Sequence, residues 1–242
     1  MSMPPAIDVR NVTKQFRVVH HAGSLKRAAL ELLRHRSYVE QMTALDDISF
    51  QVPAGQSLGI IGSNGSGKST LLMLLAGIYR PTAGEIEVRG RVTTLLDLFA
   101  GMHQDLTAAD NAIVVAMTNG LSRAEALQRL PMMLEFGELT AHADQRIRHF
   151  SAGMVVRLGF SVAVHCDPDI LLVDEVLAVG DQSFQAKCRQ RVGQLQAAGK
   201  TIIFVSHDLD TVRATCQRTI WFERSRLRLD GPTAEVLAAY EE

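Results

Sequence analysis

The chain has 242 residues, with 25 lysines and arginines against 26 aspartates and glutamates, a formal net charge of −1 and a hydrophobic share of 47%. That length allows one large α/β domain with a subdomain and excludes two full-sized nucleotide domains, while the near-zero charge excludes a global pull toward nucleic acid. The apolar runs fall short of the roughly 20 residues that cross a bilayer, Met1-Ser2-Met3-Pro4-Pro5 is no signal-peptide core, and the separated Cys166, Cys188 and Cys216 fit free thiols, so a cytoplasmic chain is expected.

Residues 6–16 and 44–52 alternate apolar and polar side chains and predict two strands of a small β layer ahead of the main sheet. Between them, Leu25, Ala28, Ala29, Leu32 and Leu33 fall at helical spacing behind Ser24, a suitable N-cap, with Lys26, Arg27, Arg34 and Arg36 elsewhere on the wheel. A short basic amphipathic helix over 24–36 follows. It suits a membrane surface or membrane partner and, equally, a helix packed on its own domain.

The next stretch carries chemistry. An apolar run, Ser57-Leu58-Gly59-Ile60-Ile61, leads into Gly62, Ser63, Asn64, Gly65, Ser66, Gly67, Lys68, Ser69 and Thr70, and then into an apolar helix beginning at Leu71. Strand, glycine-rich turn and helix in that order make a phosphate site: backbone N–H groups and the helix N-terminus face an anion, Lys68 reaches the β- and γ-phosphates, and the Ser69 hydroxyl is a ligand for Mg²⁺. A plain glycine turn followed by a helical lysine is the alternative, and the flanking elements decide against it. A nucleoside triphosphate is the expected ligand.

After a turn at Pro81-Thr82-Ala83-Gly84, residues 85–88 and 91–96 predict strands, and residues 100–165 are mainly helical. Ser122 and Glu125 form a capping-box pattern, and Pro131 is expected to kink or restart the helix behind it. The second half returns to buried strands: Ile170 to Val173 ends in Asp174-Glu175, and Thr201 to Val205 ends in Ser206-His207. Strands alternating with helices imply a mostly parallel sheet whose polar strand ends share one edge with the phosphate loop. There Asp174 suits Mg²⁺, Glu175 suits a general base for water, and His207 can approach the γ-phosphate. Further strands are predicted at 218–223 and 226–229.

Taken in order, the phosphate loop, the helical insert, Phe150-Ser151-Ala152-Gly153-Met154, the strand ending in Asp174-Glu175 and then Ser206-His207 resemble the motifs of ATP-binding cassette (ABC) ATPases over nearly the whole chain. The resemblance implies an α/β fold with a P-loop nucleotide-binding core of ABC type (residues 1–99 and 166–242), an N-terminal antiparallel β layer and a helical subdomain over 100–165. It further implies that Ser151 and Gly153 bind the γ-phosphate of ATP held by a second copy, two cassettes closing head to tail around two nucleotides with Mg²⁺. Ala152 and Met154 depart from the usual Leu-Ser-Gly-Gly-Gln signature.

Those departures, followed by Val155-Val156-Arg157-Leu158-Gly159-Phe160, with Val173 to Asp181 and then Phe184 and Lys187, look like the ATPase subunits of bacterial polysaccharide exporters for O-antigen, capsular polymer or teichoic acid. This implies ATP hydrolysis at the cytoplasmic face of the inner membrane, an integral membrane transport subunit as partner, indirect contact with lipid-linked polysaccharide and no nucleic acid. Asp181 would belong to a loop crossing the dimer interface, and the helix at 24–36 would lie near the membrane partner. Asp97 stands where the family has a metal-sensing glutamine, with Gln104 further on, and joins Ser69 and Asp174 as an expected contact to the metal or its water. For the aromatic ring that stacks on adenine, Phe16 is the choice and Tyr38 the rival. An added C-terminal carbohydrate-binding domain, found in some relatives, is not expected within 1–242. An ABC ATPase for another cargo, a soluble cassette acting on DNA or ribosomes, and a kinase sharing the phosphate loop are the alternatives.

Overall fold

The computed structural model describes residues 4–19, 39–174 and 180–242. Among these, β1 (Ile7–Val19), β2 (Val39–Val52) and β4 (Ala83–Val88) form an antiparallel sheet in the order β2-β1-β4. A second sheet has the order β5-β6-β7-β3-β8-β9, from β3 (Ser57–Gly62), β5 (Val92–Thr94), β6 (Ile170–Asp174), β7 (Thr201–Val205), β8 (Arg218–Glu223) and β9 (Arg226–Pro232). Its neighbours from β5 to β8 are parallel and the outermost pair β8 and β9 is antiparallel. The helices are α1 (Lys68–Leu75), α2 (Ala108–Thr118), α3 (Arg123–Phe136), α4 (Ala152–His165), α5 (Gln182–Ala197), α6 (Leu209–Thr215) and α7 (Thr233–Glu241).

The continuous apolar runs of β3, β6 and β7 are buried because both sheet faces are covered. Leu58, Ile60, Leu172, Ile203 and Val205 pack into one core with α1 and the antiparallel layer. Ile61, Leu171, Val173, Ile202 and Phe204 point the other way, into a second core with Phe184 and Cys188 of α5, Val212 of α6 and Val236 of α7. This is the period-2 alternation of a strand, read on both faces at once. A third core gathers Ala112, Ala116, Ala126, Met133, Leu158 and Val162 from α2, α3 and α4. Helix α4 serves two cores, giving Phe160 and Val164 to the second and Leu158 and Val162 to the third.

Residues 24–36, Tyr38 and Glu175 lie outside the described residues. Three details differ from expectation. Strands β1 and β2 run well past residues 16 and 44 and pair as far as Val19 with Val39. Strand β5 keeps three residues of the expected six, because the chain leaves the sheet after Thr94. Helix α3 passes through Pro131 without interruption, its N-terminus closed by the Ser122 and Glu125 capping box. The carbonyl deprived of its donor by Pro131 belongs to Leu127, a residue on the exposed side of the helix at 42% exposure.

The C-terminal end of α4 is held by arginines from three elements. Arg91, ahead of β5, donates to the Cys166 carbonyl at 3.0 Å, Arg129 of α3 to His165 at 2.9 Å, and Arg191 of α5 to Val164 at 3.1 Å. Orphan carbonyls and the negative end of the helix dipole both favour cations there. Among the described residues no helix is long and apolar enough to cross a membrane.

Candidate functional site

The phosphate loop is fixed from both sides by backbone. Gly62 has φ 145°, and a Cβ there would lie 2.2 Å from the Phe222 carbonyl of β8. Gly67 has φ 108°, and its Cβ would lie 2.4 Å from the Ala44 carbonyl of β2. Both positions need glycine for conformation and for space. Lys68 is buried, with Nζ donating to the carbonyls of Gly62 at 2.8 Å and Ser63 at 2.9 Å. Gly67 is also the N-cap of α1 and brings no side-chain cap, so it offers no oxygen of its own to compete for the first-turn N–H groups.

These residues form one wall of a cleft of about 460 Å³, lined by Met42, Thr43 and Ala44 of β2, Asn64, Gly65, Gly67, Lys68, Ser69 and Thr70 of the loop, and Asp174 and Val205 at the ends of β6 and β7. Asp174 and Val205 are register partners, so the carboxylate leaves the sheet at the loop's edge. His207, two residues beyond β7, is exposed. The adjoining Asp208 caps α6; the Thr211 hydroxyl first, then backbone amides and the nearby His207, hold its carboxyl below the usual carboxylate range. The Ser66 hydroxyl is buried with no hydrogen-bond partner among the described residues. An uncapped helix start, a Cβ-free cradle and a buried ammonium fit a polyphosphate. The Ser69 hydroxyl and Asp174 carboxylate supply hard oxygen donors to the same cleft and fit Mg²⁺, whose remaining ligands are ordinarily phosphate and water oxygens.

The signature residues lie elsewhere. Ser151 caps α4, its hydroxyl accepting from the Met154 amide at 3.2 Å, and Gly153 is exposed in the first turn. Both line a second recess of about 430 Å³ with Glu138, Leu139, His142, Met154, Arg157, Gly180 and Asp181, none of which lines the phosphate cleft. The Ser183 hydroxyl first, then the Phe184 amide and the Arg157 guanidinium, hold the Asp181 carboxyl below its usual range. Asp97 lines a third recess of about 290 Å³ with Thr94, Gly101, Val115, Thr118 and Gly159, and its carboxylate accepts from the Phe99 amide at 2.9 Å. The structure therefore groups Lys68, Ser69 and Asp174, and holds Ser151, Gly153 and Asp97 apart from them.

Phe16 sits opposite Met42 in the β1–β2 register and meets Tyr79 edge to face at 5.5 Å between ring centroids. Lys14 Nζ lies 4.9 Å from the Phe16 ring centre. Sequence reading missed this bracing by Lys14 and Tyr79. The Lys14–Phe16 spacing, which puts both on one face of a strand, is the signal that was there.

A family model described as ABC transporter matches residues 45–178. The chain belongs to the ABC transporter ATPase family. It is 43% identical over 99% of both chains to the O-antigen export system ATP-binding protein RfbB of Klebsiella pneumoniae. It is 37% identical to the teichoic acids export ATP-binding protein TagH of Staphylococcus haemolyticus, over 99% of this chain and 89% of that one. Among solved structures, the ATP-binding subunit of an ABC transporter superposes with a TM-score of 0.75 at 22% identity, over 98% of this chain and 93% of that one. A dimeric cassette in a post-hydrolysis state, bound to ADP and Pi, superposes with a TM-score of 0.73 at 22% identity, covering 94% and 98%. These likenesses establish the ABC ATPase fold and, with the family, nucleotide as its ligand.

Proposed function

We propose that this ABC ATPase powers the export of a lipid-linked polysaccharide, working as a homodimer beneath an integral membrane subunit at the cytoplasmic face of the bacterial inner membrane. The observation that carries this reading is the 43% identity, spanning 99% of both chains, to an O-antigen export ATP-binding protein. The separation of the two recesses supports the dimer: Ser151 and Gly153 present a helix N-terminus to a space that the chain's own phosphate loop does not share. A second copy, turned head to tail, would bring its γ-phosphate there.

In this mechanism the phosphate loop amides and Lys68 hold the β- and γ-phosphates, and Phe16, steadied by Tyr79, presents its ring to the base. Ser69 and Asp174 would hold Mg²⁺, which would supply neutralisation of the nucleotide's phosphate charge. Asp97, which lines the third recess rather than the phosphate cleft, stands in for the family's glutamine and would contact the metal or its water. Glu175, next to Asp174 in the sequence, takes the proton of the attacking water, and His207 donates toward the γ-phosphate. Ser151 and Gly153 close the site of the other subunit. The third recess, whose lining residues Leu98, Ala100, Val115 and Thr118 have the exposed Phe99, Val114 and Met117 as chain neighbours, is the docking place for the membrane subunit.

The test is a pull-down of tagged protein from detergent-solubilised membranes of its native host. Co-purification of a multi-spanning membrane protein carrying lipid-linked glycan, with ATP hydrolysis responding to it, is the expected result. Recovery of soluble proteins alone, with ATPase activity stimulated by nucleic acid, would replace the exporter with a soluble cassette.

A further inference from the structure

Behind the signature recess, side chains from α4, the end of α3 and the start of α5 meet at Arg157. One edge of its guanidinium reaches Glu138 at 2.5 Å and the other reaches Asp181 at 2.6 Å. Its Cζ lies over the ring of Phe184 of α5, 5.0 Å from the ring centre. Arg157 is 20% exposed while its two acids are 51% and 58% exposed, so the cation is withdrawn among its partners rather than lying out in solvent. An exposed pair of charges contributes little, but a planar guanidinium beside an aromatic ring and divided between two carboxylates fixes direction as well as distance.

Both acids are themselves committed. Glu138 adopts φ 59°, a left-handed backbone that disfavours a non-glycine residue, although Gly137 beside it sits at an ordinary φ of −73°. Lys187 of α5 closes on Glu138 at 3.5 Å and donates to the Phe136 carbonyl at 2.8 Å. Asp181 divides its oxygens: Oδ1 accepts from the Phe184 amide at 2.9 Å and the Ser183 hydroxyl at 2.6 Å, capping α5, and Oδ2 faces Arg157.

We propose that Arg157 is a positioning residue that locks the start of α5, which follows the strand ending in Asp174, to the signature helix of the same chain. The proposal rests on the dimer reading above. A chain's own hydrolytic edge acts on one nucleotide and its signature helix on the other, and Arg157 ties the two together. A displacement of Asp181 then either carries α4 with it or breaks an ion pair. Arg157 does not line the phosphate cleft, so the affinity of a single cassette for ATP is independent of it.

The experiment uses the full chain with Arg157→Lys, which keeps the charge and loses the two-edged plane, with Arg157→Ala, and with Asp181→Asn. Binding of a fluorescent ATP analogue to dilute protein should stay within about twofold, while kcat falls about tenfold and the Hill coefficient for ATP drops toward one. Arg157→Lys and Asp181→Asn combined should lose no more than either alone, because they break one link. Wild-type turnover and cooperativity in Arg157→Lys, or losses that multiply in the double variant, would overturn the coupling. So would a variant that melts earlier but turns over normally per folded molecule. If Arg157→Ala does not fold, Arg157→Lys decides alone. Ser151→Ala in the same assay separates the failures. If it lowers turnover and Arg157→Lys does not, the coupling falls by itself; if neither does, the dimer reading falls with it.

Discussion

The phosphate cleft and the signature recess are built from different materials. The first is pinned by main chain, with Gly62 against the Phe222 carbonyl, Gly67 against the Ala44 carbonyl and the buried Lys68 on two carbonyls of its own loop. The second is held by side chains, with Arg157, Glu138, Lys187 and Asp181 linked through ion pairs that are half open to solvent. Main-chain contacts between sheet and loop have one arrangement, whereas ion pairs can part and form again. A site that holds a ligand in place suits the first construction, and one that meets a second subunit and lets it go suits the other.

Gly67→Ala should break the comparison most severely. Its Cβ meets the Ala44 carbonyl in a left-handed backbone, so a loss of about 2–4 kcal/mol is expected, together with lost ATP binding, measured by denaturant unfolding and nucleotide titration. Ser151→Ala should do less to the fold, about 1 kcal/mol for a lost helix cap, and should lower turnover while single-cassette ATP affinity holds. An equal fall in both would mean that the two recesses are not separate in function.

The smallest effect concerns pH. Burial, foremost, pushes the His165 imidazole below its usual 6.5, against the hydrogen bond its Nδ1 donates to the Ser161 carbonyl at 2.6 Å; Arg191 and Arg129 add to the depression. Below about pH 6.5 the unfolded chain takes up a proton that the folded chain resists, so this contribution is complete above that pH and is lost as pH falls through it. The urea midpoint should decline from about pH 7.5 to about 5.5, and more shallowly in His165→Gln, which keeps a donor without the titration. Parallel slopes would place the acid sensitivity elsewhere.

What could be read in advance was what the chain writes locally. The phosphate loop shows its glycines, lysine and flanking apolar runs side by side, and the Ser122 cap needs only Glu125 three residues on. Asp174 was legible because four buried residues precede it on its strand. Pro131 was misjudged because its harm depends on whether the Leu127 carbonyl meets water, which tertiary packing decides. Arg157 stands far from Glu138 and Asp181 in the chain, and the run Val155 to Phe160 marks it by resemblance alone, without naming either partner. Asp97 follows a strand as Asp174 does, yet it faces another recess because the chain turns away after β5.

The arginines on Val164, His165 and Cys166 make α4 a lever with a fastened end. Fourteen residues at a rise of about 1.5 Å each give it a reach of about 21 Å from that anchorage to Ser151. A swing of about 10° would carry the signature end roughly 3–4 Å, and Asp181 with it through Arg157, the difference between a hydrogen bond made and one broken. Small rotations at the buried end are thereby magnified where the other subunit's phosphate would be met.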